Sequence, residues 1–120
     1  MQFDIRHATA ERGVSWPNEL RLAASKIATL ALQDFAWRED PSTHRGQLID
    51  TPIAAGWVDF PRYFSLLNEH AVTAPASLHL EYDIGGAQHG HRQLTCPPAQ
   101  VYSTMRRDFA QVKTLAAAVN

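Results

Sequence analysis

Three short apolar runs punctuate the chain, and each closes on polar, chemically capable residues. Met1 to Ile5 closes on Asp4 and His7. Ile27 to Phe35 closes on Asp34. Ser77 to Tyr82 closes on Glu81 and Asp83. Each run reads as a strand, followed by a loop and then a stretch with helical periodicity. The first helix is expected from Trp16 or Pro17, with Ser15 as N-cap and Leu20, Ala24 and Ile27 on one face. The second is expected from Phe60, capped by Asp59, with Pro61 in its first turn and Phe60, Phe64 and Leu67 on one face. The third is expected from Pro98 almost to the end of the chain. There Val101, Met105, Phe109, Val112, Ala116 and Val119 recur at helical spacing behind Pro97.

The resulting order is β-α-β-α-β-α. Such alternation implies parallel strands joined by right-handed crossovers. The middle run, from Ile27 to Leu32, is nearly all apolar, as in a strand covered on both faces. The stretch from Arg38 to Val58, punctuated by Pro and Gly, reads as a long loop. It follows a strand, on the side where parallel sheets bind ligands. Three parallel strands leave two edges of unpaired backbone groups. The expectation is a chain that continues beyond this segment or associates to cover those edges.

Composition narrows the class. With 120 residues, 45% hydrophobic and 19% charged, the chain has the make-up of one soluble globular unit. Its 11 basic and 12 acidic residues are interspersed, so no basic stripe points to nucleic acid. No apolar run is long enough for a membrane span, and the charged opening MQFDIRHATAERG lacks the apolar stretch of a signal peptide. The lone cysteine, Cys96, can make neither an internal disulfide nor a thiolate metal cage. A cytoplasmic setting is the expectation.

Asp4, His7, Asp34 and Glu81 are expected at or just past the carboxyl ends of three strands. Active sites of parallel barrels lie at that end. Carboxylates and an imidazole gathered there suit a divalent ion such as Mn²⁺, Mg²⁺, Co²⁺ or Zn²⁺. Such an ion can grip sugar oxygens and stabilise the enediolate formed when a flanking carboxylate takes a carbon-bound proton. Plainer readings stand beside these. Asp4 can form an Asx turn beside a surface imidazole, Asp34 can cap a helix or turn, and Glu81 can face solvent on an edge strand. His89 and His91 follow Gly85-Gly86, whose backbone N–H groups could meet an anion. Cys96 reads as a bystander. Trp16, Trp37 and Trp57 each flank a post-strand loop, where one of them could stack on a sugar ring or pack against the core.

These motifs resemble, in order, those of the sugar phosphate isomerase/epimerase family with xylose isomerase-like TIM barrels. Phe3-Asp4-Ile5-Arg6-His7-Ala8 resembles the family's Asp-x-x-His-Ala strand end, and Gln33-Asp34-Phe35 its Lys-Asp-Phe. Gly56-Trp57-Val58-Asp59 resembles Gly-x-Val-Asp, His79-Leu80-Glu81-Tyr82 the last strand, and Gly85-Gly86-Ala87-Gln88-His89-Gly90 a Gly-Gly-Ala-Glu-His-Gly loop. The resemblance spans nearly the whole chain. It implies a single segment, residues 1–120, that forms the last three βα units of a TIM barrel, completed by self-association or by a preceding part. It implies metal-assisted proton transfer on a sugar or sugar phosphate. Asp4, Glu81 and His7 would be the metal ligands and Glu81 the catalytic acid/base; His7, Asp34, Trp37 and His89 would lie on the substrate side. The pattern departs from the family at Ala31, where the family has a metal His, at Gln33 in place of Lys, and at Ala54-Ala55 in place of Gly-Glu. The family's first metal Glu would precede Met1. The competing readings are a non-catalytic remnant that self-associates, a barrel split between chains, and an apurinic endonuclease-like hydrolase.

Overall fold

A computed structural model describes residues 1–119. Three short parallel strands form its central sheet in the order β1-β2-β5: β1 is Gln2–Asp4, β2 is Thr29–Leu32 and β5 is Ala76–Leu78. Phe3 lies opposite Leu30, and Leu30 opposite Ala76. The α/β class and the parallel sheet follow the alternation of apolar runs. No closed barrel forms among the described residues.

Helix α1 (Ile5–Arg12) starts directly after β1, where a loop was expected. Asp4 causes it: its side chain caps the first turn, and Gly13, at φ 54°, ends the helix with its N–H on the Thr9 carbonyl. Helix α2 (Trp16–Ala23) begins where Pro17 predicts, but Ser15 does not cap it. The Ser15 hydroxyl instead donates to the Arg12 carbonyl at 2.7 Å. Helix α3 (Phe60–Glu69) is capped as expected, with the Asp59 carboxylate accepting the Arg62 N–H at 3.0 Å.

The largest correction concerns residues 34–51. The middle strand does not run on to Phe35. It stops at Leu32, and β3 (Asp34–Glu39) turns away to pair antiparallel with β4 (Gly46–Thr51). The stretch expected to be a long loop is therefore mostly a hairpin, with Asp34 opposite Thr51 and Trp37 opposite Leu48. Its tip is tied by Asp40, which accepts from the Ser42 N–H at 2.8 Å and the Ser42 hydroxyl at 2.6 Å. Those bonds, the hydroxyl's first, hold the Asp40 carboxyl below its ordinary range.

The core gathers Phe3, Ile5, Leu20, Leu30, Phe35, Phe60, Tyr63 and Leu66. Tyr63 stacks on Phe3 and meets the edge of Trp16, with ring centroids 6.2 and 6.1 Å apart. Helix α4 (Pro98–Ala117) confirms the third predicted helix, but its expected apolar stripe is divided. Val112 and Leu115 pack against the core, whereas Tyr102, Met105 and Phe109 are exposed. No described helix is long and apolar enough to cross a membrane.

Candidate functional site

Asp4 sits at the end of β1, as its place in the sequence predicts, but its oxygens are engaged. Oδ1 accepts the backbone N–H groups of Arg6 and His7 at 3.0 and 3.2 Å. Oδ2 accepts the Gln33 side-chain amide at 2.8 Å. His7 Nε2 lies 3.7 Å from Oδ2, on an open surface. Asp4 is thus the cap that starts α1, held from across the sheet by Gln33.

Asp34 is almost wholly buried and acts as a staple. Oδ1 accepts from Phe35 N–H at 2.8 Å and Val58 N–H at 3.0 Å, and Oδ2 accepts from Gly56 N–H at 3.0 Å. Burial pushes its carboxyl above the usual carboxylate range, against the pull of these backbone donors. With its donors, the N–H groups of Phe35, Gly56 and Val58, all coming from the two ends of the hairpin segment, Asp34 shapes the site rather than facing it.

Glu81 lies beyond β5, on irregular backbone, with about half of its side chain exposed. The His79 imidazole lies 3.8 Å from its carboxylate. His89 and His91 face each other with ring centroids 5.8 Å apart. The loop's backbone donors are spoken for: Gln88 Oε1 accepts from Ile84 and Gly86 N–H at 3.0 and 3.1 Å, and Asp83 accepts from Gly85 N–H at 2.9 Å. The Gly-Gly turn serves loop closure, with Cys96 packed so tightly on Gly85 that no side chain fits there. Among the described residues, no three His, Cys, Asp or Glu side chains converge as ligands for a metal ion, so Asp4, His7 and Glu81 do not form such a set.

A different constellation does converge. The α1–α2 turn, the start of α2, β3 and the start of α3 enclose an open cleft of about 720 Å³. Trp16, Trp37, Trp57 and Phe35 line it, with Arg21, Arg62 and Asp59 among them. Trp57 is carried there by its own N–H, which bonds the Phe35 carbonyl at 2.8 Å. Trp16 is buried, while Trp37 and Trp57 are 42% and 60% exposed and present free ring surface. α1 follows β1, and the first turns of α2 and α3 lead back toward the next parallel strand, so the cleft stands on the carboxyl-end side of the sheet.

Of the candidate ligand and catalytic residues expected from the sequence, Trp37 lines this cleft, beside Trp16 and Trp57; Asp4, His7, Asp34, Glu81 and His89 do not. Arg21 and Arg62 escaped sequence reasoning because they sit on helices as ordinary surface charges. A second polar centre was also missed. Asp108, the buried residue of α4, accepts from Tyr82 hydroxyl at 2.7 Å, from Arg107 Nε at 3.1 Å and from Ile53 N–H at 3.3 Å. Burial, then Asp108, pushes the Tyr82 hydroxyl well above its usual pKa. Compared with family models, with curated proteins and with solved structures, the chain has no match.

Proposed function

We propose that this chain is a sugar phosphate isomerase/epimerase-like segment of a xylose isomerase-type barrel, and that it binds a sugar or sugar phosphate in the tryptophan-lined cleft. One observation carries the reading. Two half-exposed indoles and two guanidinium-bearing side chains border one cavity of about 720 Å³ on the carboxyl-end side of parallel strands. Indole faces suit the C–H face of a sugar ring. Arginine suits a phosphate, which it can grip with two parallel bonds. The volume falls within the range of small-molecule pockets.

The resemblance also proposes Asp4, His7 and Glu81 as metal ligands and Glu81 as acid/base. As folded, Asp4 spends both oxygens on the α1 cap and Gln33. The donor set does not fit an ion within this chain, and no proton-transfer step is assigned to it. Binding, not turnover, is the activity the geometry supports.

Titration with pentoses, hexoses and their phosphates, followed by indole fluorescence, tests the reading. Saturable quenching is expected, abolished in Trp37→Ala and Trp57→Ala. Arg62→Ala should weaken the phosphorylated ligands more than the free sugars. A wild-type response that never saturates, or one that both Trp variants retain, would reject it.

A further inference from the structure

We propose that the trough between β5 and α4 is a slot for a second copy of this chain, which enters with its β1 edge and the flank of its α2, head to tail. Strands β1 and β5 each pair with β2 alone, so the sheet ends in two open parallel edges. An open strand edge is a row of backbone donors and acceptors, and the surface that satisfies it is another strand. Helices α2 and α3 each lead from one sheet strand to the next. Helix α4 follows β5 with no further strand among the described residues.

The side chains beside the two edges match. At the β5 edge, Leu78, Leu80, Met105 and Phe109 line a cleft of about 300 Å³, with Arg106 at its rim. Phe109 is 59% exposed. At the β1 edge, Met1, Leu22, Ala23 and Glu19 line a groove of about 480 Å³ on the flank of α2, where Leu22 stands out into solvent. Apolar residues thus meet apolar residues, while Glu19 is engaged within its own chain by Arg12 at 3.4 Å. The backbone chooses the occupant further. β5 of one copy beside β1 of the next continues the parallel sheet, and α4 then covers their junction. A two-fold arrangement would set β5 against β5 and leave β1 open. The contact is therefore heterologous, using two different faces of the chain. It stands independently of the sugar reading, because of the residues lining the two faces only Asn18 also lines the tryptophan cleft.

The test uses light scattering and sedimentation of the wild type and of two variants, Phe109→Asp and Leu22→Asp. Both positions are exposed, so far-ultraviolet circular dichroism should be unchanged in each. Wild type is expected to associate, and each variant alone should be weakened by roughly tenfold or more. Mixed in equal amounts, the variants should form a one-to-one dimer through the single face pair that both mutations leave intact. A monomeric wild type overturns the proposal. So does a Leu22→Asp variant that associates as wild type does, which marks a two-fold contact, or a mixture that stays monomeric while both singles remain folded.

Discussion

Asp34 and Gly56 approach so closely that each restricts what the other can be. Asp34 Oδ2 accepts the Gly56 N–H at 3.0 Å. A Cβ at position 56 would collide with Asp34 Oδ1, with the Phe35 carbonyl oxygen and with the Thr51 hydroxyl. This clasp brings the end of the hairpin back against its own beginning. It thereby sets Trp57, the next residue, against the cleft.

Asp34→Asn should loosen the clasp. An amide offers one acceptor oxygen where the carboxylate offers two, so its NH₂ must face at least one of the N–H groups of Phe35, Gly56 and Val58. The expected loss is about 2 kcal/mol in urea unfolding. The pH dependence has a definite sign. Burial raises the folded-state pKa above the unfolded value, so the folded chain holds the proton more tightly. This contribution is full below the unfolded pKa and is lost as pH rises through the folded pKa. Wild-type stability should therefore carry a component that falls with rising pH just above the ordinary Asp value, and Asp34→Asn should lack it.

Gly56→Ala should do more damage than a missing hydrogen bond. Two of the three atoms a new methyl meets are a backbone carbonyl oxygen and the oxygen of an already bonded carboxylate, and neither can swing aside. A loss of about 3 kcal/mol is expected. Since Trp57 would move with the loop, the indole fluorescence of the folded state should change as well. A variant as stable as wild type would mean the clasp can open without cost.

Ala54 runs the other way. It holds φ 64°, a left-handed conformation that costs an L-residue roughly 1 kcal/mol. Ala54→Gly should therefore raise the melting temperature, by a gain of about 0.5 kcal/mol once glycine's greater unfolded-state freedom is deducted. Ala54 was noted in the sequence only as a departure from a Gly of the resembled family. The structure supplies a physical reason for a glycine to suit that position.

Glu81→Gln should leave stability within about 0.5 kcal/mol of wild type by chemical denaturation. Its carboxylate is half-exposed, and its contact with His79 at 3.8 Å is a surface pair, worth little. A large loss would show a buried structural role that these surroundings do not support.

The sequence made the helices and the parallel strands legible because their signals are local. Pro17, Asp59-Pro61 and Pro97-Pro98 mark helix starts that the structure keeps. The apolar run ending at Leu32 marks the central strand. The hairpin was hidden because Gly46-Gln47-Leu48-Ile49-Asp50-Thr51 sets its apolar residues side by side instead of alternating. Its pairing also depends on Asp34, whose bonds to Gly56 and Val58 span 22 and 24 residues. The roles of Asp4 and Asp34 show the same limit. Strand-end carboxylates look alike in sequence whether they bind a ligand or backbone N–H groups, and only the folded chain decides between them. Both here serve the backbone.

Asp108, buried in the middle of α4, holds that helix to the rest of the molecule. It joins the Tyr82 hydroxyl, the Arg107 guanidinium and the Ile53 N–H, residues from three separate stretches of chain. Arg107 also donates to the Tyr82 hydroxyl at 3.1 Å, which closes the network. Asp108→Ala should cost about 3 kcal/mol, because it strands a buried N–H and a hydroxyl and leaves a guanidinium without its counterion. Tyr82→Phe should cost about 1 kcal/mol, since Asp108 keeps its other donors. The two losses should not add, because the double variant can lose their shared hydrogen bond only once. Alkaline titration followed by phenolate absorbance gives a second readout. Two tyrosines, Tyr63 and Tyr82, should ionise abnormally late in wild type, Tyr82 through burial and the adjacent Asp108 carboxylate, and Tyr82→Phe should remove one of the two late components and leave that of buried Tyr63. Additive losses would mean that Asp108 steadies α4 through Arg107 and Ile53 alone.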